Sequence, residues 1–296
     1  MKNNKIPNNI WKWLAFFFLL IAIIVISIWG FQKYQNRQAT QVLEELKKMP
    51  VENNDISSNG NAEKKQDKNN NTATTVTAKK DNSEELPQEN SAPSENTETV
   101  NPLEKVVDFK TLTRDVNEDI YAWVSIPDTE IDYPILQHAT DNTHYLNYNI
   151  DGSKGYPGCI YTENYNSKDF TDPNTVLYGH NMKNGTMFAG LHEYKDINYF
   201  AEHPYIYIYT PEHKLTYEIF AAYEYSNIHL LLNYDFNNVG VYQQYINEIQ
   251  TLRSMTYIYK EDFEWTTEDK IITLSTCIAD KPSNRYLVQG VLINEE

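Results

Sequence analysis

Apolar and polar positions divide the chain into four stretches. The first apolar block reads WKWLAFFFLLIAIIVISIWGF over residues 11–31, with no charge between Leu14 and Trp29 and tryptophans at both ends. At 1.5 Å per residue, about 20 apolar residues cross the hydrocarbon core, and Trp favours its boundary. A cleavable signal peptide usually has a shorter apolar core, and no small-x-small cleavage site follows Trp29. The pattern therefore predicts an uncleaved transmembrane signal-anchor helix over 11–31, behind a tail at 1–10. Lys2, Lys5 and Lys12 precede it and Lys33 and Arg37 follow, so the positive-inside bias is small. Residues 32–100 read as a juxtamembrane segment and a linker. Gln38–Lys48 suggests a short helix. From Pro50 to Val100 the chain is Asn, Thr, Ser, Glu and Lys with few large apolar residues, too little to offset ordering entropy, so a disordered tether is expected.

Periodicity returns in residues 101–296. Leu103, Val106, Val107, Phe109, Leu112 and Val116 recur at helical spacing, which predicts a helix over Leu103–Val116. Short runs rich in β-branched and aromatic residues follow, bounded by turn formers: AWVSIP, IDYPILQ, GCIYT, TVLYGH, YIYIYT and KLTYEIFAAYEYS. A second helical stretch, Val241–Met255, precedes KIITLSTC and then YLVQGVLI. Many short strands with few helices predict a mainly β domain, a closed or nearly closed barrel with N-terminal and peripheral helices. About 195 residues suit a single domain.

Charge narrows the function. Residues 1–100 hold twelve acidic and twelve basic side chains, so the formal charge of −16 lies wholly in residues 101–296. Such a surface repels nucleic acid, which is bound through clustered Lys and Arg. The two cysteines, Cys159 and Cys277, are too few for a disulfide framework and form no CxxC pair, although they allow one Cys159–Cys277 bridge. Cys159, in GCIYT, reads as a small buried hydrophobe. His192-Glu193 opens like a zinc-protease motif, but Asp196 stands where its second histidine would be; no metal and no organic cofactor is implied.

Cys277 ends the run KIITLSTC and His180 ends TVLYGH, so both are expected at strand ends. A thiol and an imidazole meeting at one rim of a sheet is what thiol chemistry needs: a thiolate nucleophile and a proton-transfer partner. Arg285, read as opening the next strand, adds a permanent cation able to bind a carbonyl or its oxyanion. It could equally be a surface partner for Asp280.

TLSTC followed by Arg285, with VLYGHN upstream and an N-terminal anchor, resembles a sortase, and more closely class B. VLYGHNMKNGTMFAGLHEY, NEDIYAWVSIPDTEIDYPILQ and the helix before TLSTC carry the likeness, which covers nearly all of residues 103–293. The resemblance implies an eight-stranded β-barrel and a membrane-anchored cysteine transpeptidase on the outer face of a Gram-positive membrane. It also implies that Cys277 attacks the threonine carbonyl in a C-terminal sorting motif of secreted proteins. A peptidoglycan amine would then resolve the thioacyl enzyme, His180 would be the general acid/base, and Arg285 would position the substrate or its oxyanion. Asn142, Leu146, Tyr178 and Ser275 match positions of the family's substrate groove. Thr276, beside the cysteine, is a further candidate, but adjacent strand side chains face opposite sides, so a structural role is the alternative. Two departures stand out: Ile278 follows the cysteine where an acidic residue is common, and the stretch to Arg285 is short. A pilin-polymerising enzyme using a pilin lysine, a cysteine protease with water as acceptor, and a non-enzymatic adhesin are the alternatives.

Overall fold

The computed structural model describes residues 8–48, 105–252, 256–261 and 263–296. Most of the linker, residues 49–100, lies outside these. The first element, α1 (Asn8–Lys47), is one continuous helix. The sequence suggested a membrane span and a separate juxtamembrane helix. The intervening Phe31–Arg37 holds neither Pro nor Gly to break the backbone ladder, so the two merge. Its apolar half is exposed and long enough to cross a membrane. Its last turns bury Ala39, Leu43 and Leu46, the two leucines in the domain's main core. Lys47 Nζ donates to Glu130 O at 3.1 Å and sits 4.2 Å from the Tyr133 ring centroid.

The predicted helix at Leu103–Val116 is much shorter. The Asp108 side chain accepts from Thr111 N, an N-cap that starts α2 only at Phe109–Thr111. A π-turn over Leu112–Val116 completes it, closed by Asn117 N donating to Leu112 O.

Every strand run identified in the sequence is present. β1 (Ile120–Ser125) and β2 (Asp132–Leu136) form a hairpin, α3 (His144–Asn147) follows, then β3 (Ile160–Tyr161) and β4 (Asn174–Tyr178). A 3₁₀ segment (Phe188–Lys195) and α4 (Ile197–Glu202) lead to β5 (Tyr205–Tyr209) and the long β6 (Lys214–Ser226). After α5 (Leu230–Asn233), α6 (Val239–Thr251) and β7 (Ile258–Tyr259) come β8 (Ile271–Ile278) and β9 (Lys281–Glu295). The strands run β5-β1-β2-β3-β4-β8-β9-β6, and a β5–β6 pairing closes eight of them into a barrel. The two-residue β7 is added on β6, outside the ring. Closure removes exposed strand edges.

Two apolar clusters follow from strand alternation. Trp123, Tyr217, Ile208, Leu274 and Val288 fill the barrel interior. Phe220, Tyr223 and Leu287 belong to a second cluster, covered by α6. Tyr242, Tyr245, Ile246 and Ile249 form that helix's buried stripe, spaced i, i+3, i+4, i+7. Asn238 caps it by accepting from the Gly240 and Val241 amides. Cys159 is buried and free, as its context implied; Cys277 is free and exposed.

Candidate active site

The site is assembled by β4, β8 and β9. β4 and β8 are parallel neighbours with Tyr178 opposite Ser275. Two bonds extend that register past the end of β4: Gly179 N donates to Ser275 O at 3.1 Å, and Thr276 Oγ1 donates to Gly179 O at 2.8 Å. Continued one residue further, that register brings His180 to the level of Cys277, and both line one groove. On the other side of β8, Cys277 pairs directly with Arg285, and paired residues of antiparallel strands face the same side of a sheet. Arg285 therefore does not open its strand. β9 begins at Lys281, four residues earlier, because Ala279 and Asp280 form a two-residue turn with Asp280 at φ 61°. Asp is one of the few side chains that enters this region readily.

His180 is held from below. Its Nε2 lies 2.8 Å from Leu146 O; a carbonyl only accepts, so Nε2 carries the proton and Nδ1 is the basic nitrogen. The Tyr156 ring packs edge-on at 5.0 Å. Gly158 has φ +68°, and a Cβ there would lie 2.8 Å from Tyr145 O and 3.2 Å from His180 Cδ2, so only glycine lets the chain pass beneath the imidazole. Arg285 Nη1 donates to Pro282 O and Asn284 O at 3.1 and 2.9 Å. Two carbonyls thus orient a guanidinium that has five N–H donors in all.

Cys277, His180 and Arg285 line one groove of about 220 Å³. A second, larger depression opens on the other side of Cys277. A family model for the sortase domain matches residues 124–293. The chain belongs to the sortase family. Curated relatives place it in class B. It is 36% identical to sortase B of Listeria monocytogenes over 185 residues, 61% of this chain and 72% of that one. It is 32% identical to sortase B of Staphylococcus aureus over 169 residues, 57% of this chain and 67% of that one. The fold agrees with the S. aureus sortase B–substrate complex (TM-score 0.56, 30% identity, 63% of this chain and 84% of that one). It agrees equally with Clostridium perfringens sortase B (TM-score 0.56, 32% identity, 62% and 99%). Class B membership makes the protein a cysteine transpeptidase of the cell-wall anchoring type.

In this sortase the remaining expected groove residues divide. Leu146, Tyr178, Ser275 and Thr276 line the groove shared by Cys277, His180 and Arg285. Leu146 is exposed, and Tyr178 stacks on Tyr161 at 5.5 Å. Thr276 is buried with its hydroxyl spent on Gly179 O. Asn142 is absent from the groove lining: its Oδ1 accepts from Asn164 N at 2.7 Å, and Thr143 lines the groove instead. Ile278 is buried in the main core, which explains an apolar residue directly after Cys277.

Several groove and rim residues had no sequence signal. Glu163 and His229 pair at 2.5 Å in the groove wall, 66 positions apart. Burial pushes the Glu163 carboxyl above its ordinary range, and the His229 imidazole pulls it partly back. Asn181 and His192 both reach the Cys277 carbonyl. Asn181 sits in the YGHN run, where its neighbour drew the attention; His192 was read only as half of a metal motif.

Proposed function

We propose that this sortase cleaves a C-terminal sorting motif of secreted proteins after threonine and transfers the acyl group to an amine. Cys277 Sγ attacks the threonine carbonyl carbon while the thiol proton passes to His180 Nδ1. The C–S bond forms, the peptide C–N bond breaks, and the proton on His180 goes to the departing amine. An acceptor amine then attacks the thioester. Its C–N bond forms, the C–S bond breaks, and the acceptor's surplus proton returns through His180 to the thiolate. Arg285 donates to the carbonyl oxygen as negative charge collects on it; loss of one such donor typically costs about 10²–10³ in rate. Leu146, Tyr178 and Ser275, which line the groove, are the candidate contacts to the motif.

The reading rests on one observation: the end of β4 and the β8–β9 hairpin, from distant parts of the chain, bring His180, Cys277 and Arg285 to one groove. The depression on the other side of Cys277 gives an acceptor room to approach without displacing the acyl donor. The acceptor is proposed to be a peptidoglycan crossbridge or precursor amine. α1 anchors the enzyme in the bilayer, with the N-terminus cytoplasmic and the catalytic domain outside. A class B sortase of Streptococcus pyogenes involved in pilus biogenesis shares the fold (TM-score 0.54, 28% identity), which makes a pilin lysine the competing acceptor.

The test uses the full chain in detergent micelles with a library of sorting-motif peptides and intact-mass detection. A peptide acyl adduct on Cys277, absent from C277A, is expected. No adduct with any peptide on a folded chain overturns the reading. Added wall-peptide amines and lysine peptides then compete as acceptors, and release only to water would make the enzyme a protease.

A further inference from the structure

The pairing of β8 with β9 shifts register between Cys277 and Ile278. At this irregular step two side chains converge on the Cys277 carbonyl: Asn181 Nδ2 and His192 Nε2, each at 3.0 Å. They arrive from separate places, Asn181 just after His180 and His192 from the 3₁₀ segment, 96 and 85 residues from Cys277. The two nitrogens are themselves 3.0 Å apart. A carbonyl oxygen only accepts, so both nitrogens present hydrogens to it, and the N–N approach is that of two donors sharing one acceptor. His192 must then carry its proton on Nε2.

Its other nitrogen agrees with that assignment. Nδ1 is buried and has no hydrogen-bond partner among the described residues, so no acceptor there calls for the proton. The groups around the ring act in both directions. Burial lowers the imidazole pKa below its ordinary value; the bond to Cys277 O raises it, Lys195 lowers it, and Glu193 and Glu224 raise it, with a lowered value as the result. The ring packs against Tyr286, 5.1 Å between centroids, and Tyr286 sits on β9 opposite Thr276. The imidazole is therefore fixed against the sheet on one side and the nucleophile's own peptide on the other.

We propose that His192, as the neutral Nε2–H tautomer, is a positioning residue for the nucleophile: with Asn181 it holds the Cys277 carbonyl and so fixes the direction in which Sγ enters the groove. Rotation of the 277–278 peptide would swing the Cys277 backbone and carry Sγ away from His180 and Arg285. The two donors oppose that rotation where the irregular β8–β9 pairing restrains it least. The role rests on Cys277 being the acylated residue, and the motif that looked like half a metal site is in this reading a brace.

The test uses the full chain in micelles. Long-range ¹H–¹⁵N correlation of labelled histidines reads the tautomer without altering the protein: the Nε2–H form is expected for His192, and an Nδ1–H form at pH 7 overturns the proposal. H192L is expected to lower single-turnover acylation about tenfold, the worth of one hydrogen bond to the reacting unit, with KM unchanged. H192Q, whose amide N–H can reach the same oxygen, is expected to restore most of that loss. If the leucine variant does not fold, H192M replaces it as the donor-free form. Iodoacetamide alkylation of Cys277 across pH supplies a readout that needs no peptide. Cys159 does not compete, being buried with its thiol pushed far up. The brace predicts an altered alkylation profile in H192L and a near-native one in H192Q. Wild-type rates in H192L, or equal losses in H192L and H192Q, overturn it. Failure of every peptide to acylate would count against the proposed transpeptidation while leaving tautomer and alkylation to decide the brace.

Discussion

Thr276→Val tests whether the hydroxyl beside Cys277 serves the fold or the substrate. Thr276 is 2% exposed, and its Oγ1 donates to Gly179 O at 2.8 Å. That bond ties β8 to the residue immediately before His180. Valine preserves the shape, removes the donor and sets a methyl against a carbonyl with few other partners. The lost bond and the stranded acceptor together cost about 1–3 kcal/mol. At about 2 kcal/mol, the unfolding midpoint of a domain this size falls by about 4–8 °C. T276S keeps the donor and loses one methyl, about 1 kcal/mol. Thermal unfolding followed by near-ultraviolet circular dichroism measures the first effect, and single-turnover acylation the second. The acylation rate should fall severalfold as Gly179 and His180 gain freedom, with KM unchanged because the hydroxyl faces its own backbone. An unchanged midpoint in T276V refutes the reasoning. A raised KM at constant midpoint would return Thr276 to the substrate contacts.

Gly158→Ala puts a Cβ at φ +68° and within 3.2 Å of His180, so acylation should drop at least about tenfold with a stability loss of about 1–3 kcal/mol; native kinetics would show that this loop does not support the imidazole. Gln289 is wholly buried, donating to Tyr245 OH and Thr273 Oγ1 and accepting from Tyr223 OH, all at 2.7 Å. Q289L should therefore cost about 2–4 kcal/mol in urea titrations, and a neutral result would mean the hydroxyls satisfy one another. The lowered His192 pKa carries a definite sign. The folded imidazole binds fewer protons than the unfolded one below about pH 6.5, so its stability contribution is complete above that value and is lost as pH falls towards the folded pKa. H192Q should flatten that part of the stability–pH curve, and an identical curve would locate the acid sensitivity elsewhere.

The presence of β1 to β6, β8 and β9 was legible because its causes are local, although β9 starts at Lys281 rather than Arg285 and the two-residue β7 was missed. KIITLSTC and YLVQGVLI carry β-branched residues between turn formers, and those preferences act over a few residues. α6 was legible for the same reason, from the spacing of Tyr242, Tyr245, Ile246 and Ile249. The α2 region misled: its apolar spacing matched a helix, but the Asp108 cap starts the turn late. The juxtamembrane helix was found, but not its union with the anchor or the burial of Leu43 and Leu46. Burial of that face depends on a barrel made from residues far along the chain.

By itself, the sequence determined the long apolar N-terminal stretch, the strand runs, the acidic charge of the domain and which stretches carry Cys277, His180 and Arg285. Each is a property of residue type or of near neighbours. Tertiary structure alone decided that β4 runs parallel to β8, that Arg285 stands opposite Cys277 within a tight hairpin, and that Asn181 and His192 share one carbonyl. Those arrangements come from strand register and barrel closure, which join residues separated by up to 97 positions. A local pattern leaves register open, because sliding a strand by two residues preserves its alternation while changing every partner.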